Sequence, residues 1–201
     1  MGGVSIAPSY ALNLIGNMPP SNDNSGTTVD NIITKSVSFT LPSGNSYNLD
    51  NVVLRLGSNY ATGDVPLLTI RNDGGGTAGS TVLANFTNPT PPSVGINADY
   101  TFTPTSSFVF QSSTTYWLNL TASAGEFDWN ASFPGVAPSG IATFGEYQID
   151  GGPSGTRNSF QINATAVPWE TDALPVVGST VLFGLGLWGK RKLAQKKIDK
   201  L

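Results

Sequence analysis

The chain contains neither cysteine nor histidine in 201 residues. Without cysteine there is no disulfide, no thiolate metal site and no thiol nucleophile. Without histidine the commonest general base and the imidazole metal ligand are missing as well, so the usual catalytic triads and zinc sites cannot be built. Charge is scarce too, at 11% Asp, Glu, Lys and Arg. Up to residue 172 the only basic side chains are Lys35, Arg55, Arg71 and Arg157, which against twelve Asp and Glu leave this part at −8. An acidic body argues against nucleic acid and anionic lipid as its main partner. Glycoside hydrolysis remains, since it needs only two carboxyl groups roughly 5 to 10 Å apart. Glu126 and Asp128 are the candidate pair, on one strand face if Phe127 and Trp129 face the core. The same alternation is what any amphipathic strand shows, and the chain is expected not to be an enzyme.

What the body has in abundance is Thr, Ser, Asn, Gly and Pro, a composition unlike that of a helical protein. Apolar and polar residues alternate at Tyr10, Leu12, Leu14; at Val37, Phe39, Leu41; at Tyr100, Phe102; at Tyr116, Leu118, Leu120; at Phe127, Trp129; and at Phe160, Ile162, Ala164. Period two means half-buried strands. The more continuous runs 49–56, 65–70 and 141–149 suit central strands or strands with a bulge. Turn chemistry separates them at Pro42-Ser43-Gly44-Asn45, Asn72-Asp73-Gly74-Gly75-Gly76, Asn88-Pro89 and Asp150-Gly151-Gly152-Pro153. About ten short strands without an amphipathic helix predict an all-β fold over residues 1–164, an antiparallel β-sandwich of jelly-roll type, with a closed barrel as the alternative. Residues 165–172 read as a linker.

Beyond it, Ala173 to Gly189 carry no charge, and six of the ten basic residues follow at once. They are Lys190, Arg191, Lys192, Lys196, Lys197 and Lys200, which with Asp199 give the tail +5. Seventeen helical residues cover about 25 Å, the short end of a membrane span. The eight strongly apolar members contribute about −2 to −5 kcal/mol of insertion energy together, a serviceable anchor. Positive charge kept inside places everything before residue 173 outside. The sequence therefore predicts a single transmembrane helix at 173–189, a basic cytoplasmic tail at 190–201 with Lys190, Arg191 and Lys192 as the membrane stop, and an exported body. The opening residues 1–8 are too short and too mixed for a secretory signal, which leaves an omitted signal or a misplaced start.

The tail resembles the PEP-CTERM tripartite sorting signal of exported bacterial proteins: a short Pro-containing motif, here Val167-Pro168-Trp169-Glu170, then an apolar segment, then a basic cluster. The Pro-Glu-Pro of that class is absent and an aromatic residue follows Pro168, which is closer to the variant tails of cyanobacterial surface proteins. The resemblance implies an exosortase-like enzyme as partner, an inner-membrane precursor, and a mature form at the cell surface or outside the cell. The stretches Leu49-Asp50-Asn51-Val52-Val53-Leu54-Arg55-Leu56, Leu68-Thr69-Ile70-Arg71-Asn72-Asp73-Gly74-Gly75-Gly76, Thr114-Thr115-Tyr116-Trp117-Leu118 and Phe127-Asp128-Trp129 resemble the choice-of-anchor R ectodomain. That likeness implies a displayed β-sandwich with no catalytic residues to transfer.

Candidate ligand residues follow from composition. Trp117 lies out of phase with Tyr116, Leu118 and Leu120, so it falls on the less apolar side of its strand. Together with Trp129 it is the aromatic candidate for stacking a sugar of an extracellular polysaccharide, set against the plainer reading that both sheet faces are covered or that Tyr116 and Trp117 straddle a bulge. Ca²⁺ requires several oxygen ligands, for which Asp73 in its Asn-Asp-Gly turn is the leading candidate, with Asp64, Asp99 and Asp150 behind it. No EF-hand spacing is present, each is more readily a turn residue bonding its own backbone, and no cofactor is expected. The function expected is that of a structural or adhesive surface or matrix protein, with a carbohydrate-binding module and a carboxylate glycosidase as the alternatives.

Overall fold

The computed structural model describes residues 11–92 and 95–168. The chain divides into two units, Met1–Val167 and Pro168–Leu201, and the strands all belong to the first. There are fourteen: β1 (Ala11–Gly16), β2 (Ser25–Val29), β3 (Lys35–Thr40), β4 (Tyr47–Leu56), β5 (Val65–Asp73), β6 (Ala78–Thr87), β7 (Ala98–Pro104), β8 (Val109–Phe110), β9 (Thr115–Ala124), β10 (Phe127–Ala131), β11 (Ser139–Gly140), β12 (Thr143–Ile149), β13 (Gly152–Pro153) and β14 (Phe160–Ala166). No helix occurs among the described residues. The expected span at 173–189 and the basic tail lie outside them.

All pairings are antiparallel, and the strands form a curled sheet in the order β11-β1-β14-β4-β7-β6-β5-β9-β3-β12-β13, with β8 and β10 on β4 and β2 on β10. The path has two ends, so the sheet is open and sandwich-like rather than a closed barrel. One layer is built on β1, β14, β4 and β7, the other on β6, β5, β9, β3 and β12. Across β6 and β7 they are joined by the two-residue pairing of Phe86 and Thr87 with Pro104 and Thr103, next to which Thr105 N donates to Asn85 O at 2.9 Å.

The core lies between the layers because each strand turns its apolar phase inward. On β4 the buried set is Tyr47, Leu49, Val52, Leu54 and Leu56; on β9 it includes Tyr116, Leu118 and Leu120. Aromatic pairs tie the layers together. Phe110 on β8 meets Phe39 on β3 at 5.7 Å and Tyr116 on β9 at 5.1 Å, while Phe160 on β14 meets Tyr147 on β12 at 6.3 Å. A third cluster joins Tyr60 to Tyr100 and Phe127 at 4.9 and 5.6 Å. Such edge-on pairs contribute about 0.5–1.5 kcal/mol each beyond their buried area.

Two boundaries differ from the sequence reading. β6 and β2 pair in the sheet although neither shows clean alternation, and β8, β11 and β13 are two residues each, which raises about ten strands to fourteen. The last strand also runs past the expected end of the body. Thr165 and Ala166 pair with Asn48 and Tyr47 on β4, Thr165 Oγ1 donates to Asp50 Oδ2 at 2.7 Å, and Val167 N donates to Ser46 O at 2.9 Å. The strand continues because both of its neighbours, β1 and β4, extend that far.

Candidate ligand-binding face

On the outer face of the second layer, strand register assembles a polar row. Gln148 of β12 lies opposite Ser36 of β3, Ser36 opposite Asn119 of β9, Asn119 opposite Thr69 of β5, and Thr69 opposite Asn85 of β6. Directly paired residues share a face, and the flanking Val37, Leu118, Leu120, Leu68 and Ile70 are all core, so this row points away from it. The next row on the same face runs Ser38, Trp117, Arg71, Val82.

A polar outer face is ordinarily wet, yet the middle of this one is buried. Ser36, Ser38 and Asn119 are each 5% exposed, Gln148 4%, Thr69 2% and Trp117 1%. The turn between β5 and β6 supplies part of the cover. Register shifts between Ile70 and Arg71 and between Arg71 and Asp73 mark bulges, which bend a strand. Beyond them Gly75 and Gly76 have φ of 89° and 92°, a region that glycine enters without strain. The bend carries the turn back over the sheet: Gly76 O accepts Gln148 Nε2 at 2.7 Å. β12 is three strand spacings, about 14 Å, from β5.

Asp73 fastens the base of the turn. Its carboxylate accepts Trp117 Nε1 at 2.8 Å and the amides of Gly76 and Gly75 at 3.1 and 3.3 Å. The indole bond, followed by those of the two amides, outweighs burial and holds this carboxyl below its ordinary range. Beneath the turn, Ser36 Oγ donates to Asn119 Oδ1 at 2.8 Å and Arg71 Nε to Thr69 Oγ1 at 3.3 Å. Arg71 Nη1 donates to Gly79 O at 3.2 Å, and Gln148 Nε2 donates also to Glu146 Oε1 at 3.0 Å. Gln148 Oε1 is buried and has no donor among the described residues.

The aromatic platform expected at Trp117 and Trp129 is not what the fold presents. Trp117 is on the outer face as its phase implied, but covered. Trp129 is fully buried, with its Nε1 donating to Ser159 O at 2.9 Å and its ring 6.4 Å from Phe160. Asp73 is committed to three protein donors, and among the described residues no three acidic side chains gather into a group able to hold a metal ion.

Glu126 is exposed just before β10, while Asp128 accepts Thr28 Oγ1 at 2.7 Å and lines an open polar groove of about 350 Å³ with Asp23, Asn24 and Asn130. Asp23 is held there by Arg55, whose Nη2 is 2.7 Å from Oδ2, and that pairing lowers its pKa. A second hollow of about 240 Å³ lies between β12 and the loop after β13, lined by Glu146, Tyr147, Ser154 and Arg157. Below it sits Lys35, which entered the sequence reading only as one of four basic residues. Of the sorting motif, Val167 is half-buried and Pro168 exposed. Trp169, Glu170, Lys190, Arg191 and Lys192 lie outside the described residues. Neither a protein-family model nor a curated protein sequence matches the chain.

Proposed function

We propose that this is an exported, non-catalytic surface or matrix protein of structural or adhesive role. In this reading a jelly-roll-type, choice-of-anchor R-like sandwich precedes a single membrane-spanning helix at 173–189. An exosortase-like enzyme recognises Val167-Pro168-Trp169-Glu170, and Lys190, Arg191 and Lys192 stay cytoplasmic. The observation that carries the proposal is the uncharged run of seventeen residues followed at once by six of the chain's ten basic ones. The end of the sandwich supports it. Val167, the first residue of the motif, donates its backbone N–H to Ser46 O of the body, and Pro168 is exposed. A sorting enzyme would thus meet its motif where the chain leaves the fold.

Mass spectrometry of the mature protein from its native cells tests this directly. The expected C-terminus falls between Val167 and Thr171, in a protein released from the inner membrane. An intact chain through Leu201 in the membrane fraction would reduce the proposal to a one-helix anchor. Carbohydrate binding at the surface is the second reading, favoured by the amide-and-hydroxyl row of the outer face.

A further inference from the structure

We propose that the β5–β6 turn is a lid, and that the polar face beneath it, from Gln148 to Asn85, is a binding site for a neutral oligosaccharide. The inference does not depend on how the tail is processed. Three independent features of the fold lead to it.

The first is the unpartnered Gln148 Oε1. Its amide orientation is fixed, because the two neighbours at hydrogen-bond distance, Gly76 O and Glu146 Oε1, are both acceptors and require Nε2 between them. The oxygen is left without a donor among the described residues, in a residue only 4% exposed. Buried acceptors are satisfied in native proteins with few exceptions, and an exception calls for a missing partner. A donor such as a hydroxyl supplies it.

The second is the chemistry of the row. Ser36, Asn119, Thr69, Asn85 and Gln148 offer hydroxyls and carboxamides, which both donate and accept, as sugar hydroxyls do. Their span across five strands is about 19 Å, the length of an oligosaccharide rather than of one ring. The charges on this face, Arg71, Glu146 and Asp73, are of both signs and each already has a protein partner, so the face selects no ion. Trp117 contributes a flat apolar ring to the next row, where a pyranose face can stack.

The third is the lightness of the cover. The turn is held to the sheet beneath it by Gly76 O on Gln148 and by Asp73 on Trp117, while a Cβ at Gly75 or Gly76 would meet nothing within 4 Å. Few buried contacts and glycine at the bend are the marks of a segment that opens below the global stability. Opening uncovers Trp117 and the Gln148 end of the row, and Asn85, exposed at the far end, provides the entry.

The test uses the full-length protein in detergent micelles against an array of neutral linear oligosaccharides: α- and β-glucans, mannans, xylans and chitin oligomers. At least one member is expected to bind, with affinity lowered tenfold or more by Gln148→Leu. Gly75→Ala and Gly76→Ala strain the closed turn and are expected to raise affinity several-fold. By hydrogen exchange the Trp117 indole N–H is expected to exchange at least tenfold faster than that of Trp129. If Gln148→Leu fails to fold by far-UV circular dichroism, Asn85→Ala, at an exposed position, replaces it under the same criterion. Failure of every array member to bind overturns the site, as does wild-type affinity in the row variant, which would leave Gln148 Oε1 to a trapped water. Exchange of the Trp117 indole as slow as that of Trp129 overturns the lid.

Discussion

Lys35 Nζ donates to Ser154 Oγ at 2.5 Å, from a side chain that is fully buried and faces no carboxylate. Its other contacts are Thr156 O at 3.1 Å and the ring of Tyr147, whose centre lies 5.4 Å away. Every proton thus has a neutral acceptor, yet none of these offsets the loss of water around a cation. Burial accordingly pushes the ammonium down from its ordinary 10.5 to about 8.

This shift makes stability depend on pH with a definite sign. Below pH 8 the native and unfolded chains both hold the proton, and the penalty of burying it is fully present. Between 8 and 10.5 the native state releases it first, so the unfolded state binds more protons and stability rises with pH. The full shift corresponds to about 3 kcal/mol, and the effect is expected to be smaller because Ser154 and Tyr147 line an open hollow that screens the charge. Denaturant midpoints from pH 7 to 9.5 should therefore rise in the wild type and stay flat in Lys35→Met. Persistence of the rise in the variant would locate it elsewhere.

Arg55 makes the opposite kind of contribution. From β4 it grips Asp23 with Nε and Nη2 and reaches Asp99, its cross-strand partner on β7, at 3.1 Å. The Arg55 hydrogen bonds lower the Asp23 carboxyl, so the contribution is present above the unfolded carboxylate pKa and disappears as pH falls through the lower native value. Arg55→Met and Asp23→Asn should each cost about 1–2 kcal/mol at pH 7. Asp99, 46% exposed on its side chain, should cost under about 0.5 kcal/mol as Asn. Urea unfolding at pH 7 and pH 3 checks both the order and its collapse in acid.

The two tryptophans should separate in the same assay. Trp129→Phe removes a buried ring edge and the bond to Ser159 O inside the core, for about 2 kcal/mol. Trp117→Phe removes a bond to the exposed Asp73, which water replaces, for about 1 kcal/mol. A greater loss at Trp117 would mean that the turn is a core element and not a cover.

The difference between these residues also shows what a sequence carries. The alternation at Val37-Ser38-Phe39 and Leu118-Asn119-Leu120 assigned β3 and β9 and their inward faces, because one buried face imposes period two. The run Ile141–Ile149 was legible even as a bulged strand, and the register of β12 does shift between Phe144 and Tyr147. β6 was not, since Ala78–Thr87 has no single apolar phase and bulges against β5. The outward phase of Ser36 and Asn119 was visible and that of Thr69, inside the continuous run 65–70, was not, while their meeting with Gln148 depends on register between strands up to 112 residues apart in sequence. The cover on Trp117 depends on a turn folding back across the sheet. Neither leaves a trace in local periodicity.

The tail offers the prediction closest to the sequence. A single span takes its orientation from Lys and Arg within about 15–20 residues of its end, while Asp and Glu contribute little. Replacing Lys190, Arg191 and Lys192 by Glu therefore acts mainly by removing half of the six basic residues, the three nearest to the span. Protease access to a C-terminal tag in spheroplasts should rise, and release of the mature body should fall. Pro168→Ala with Glu170→Ala leaves the span and its charges untouched, so membrane association should persist while processing stops and the full-length form accumulates. The body should be indifferent to that pair, because Pro168 is exposed and Val167 already ends the bonding of β14. Unchanged release from the motif variant would remove Val167-Pro168-Trp169-Glu170 from the sorting step, and unchanged tag protection in the charge variant would remove the basic cluster from the orientation of the span.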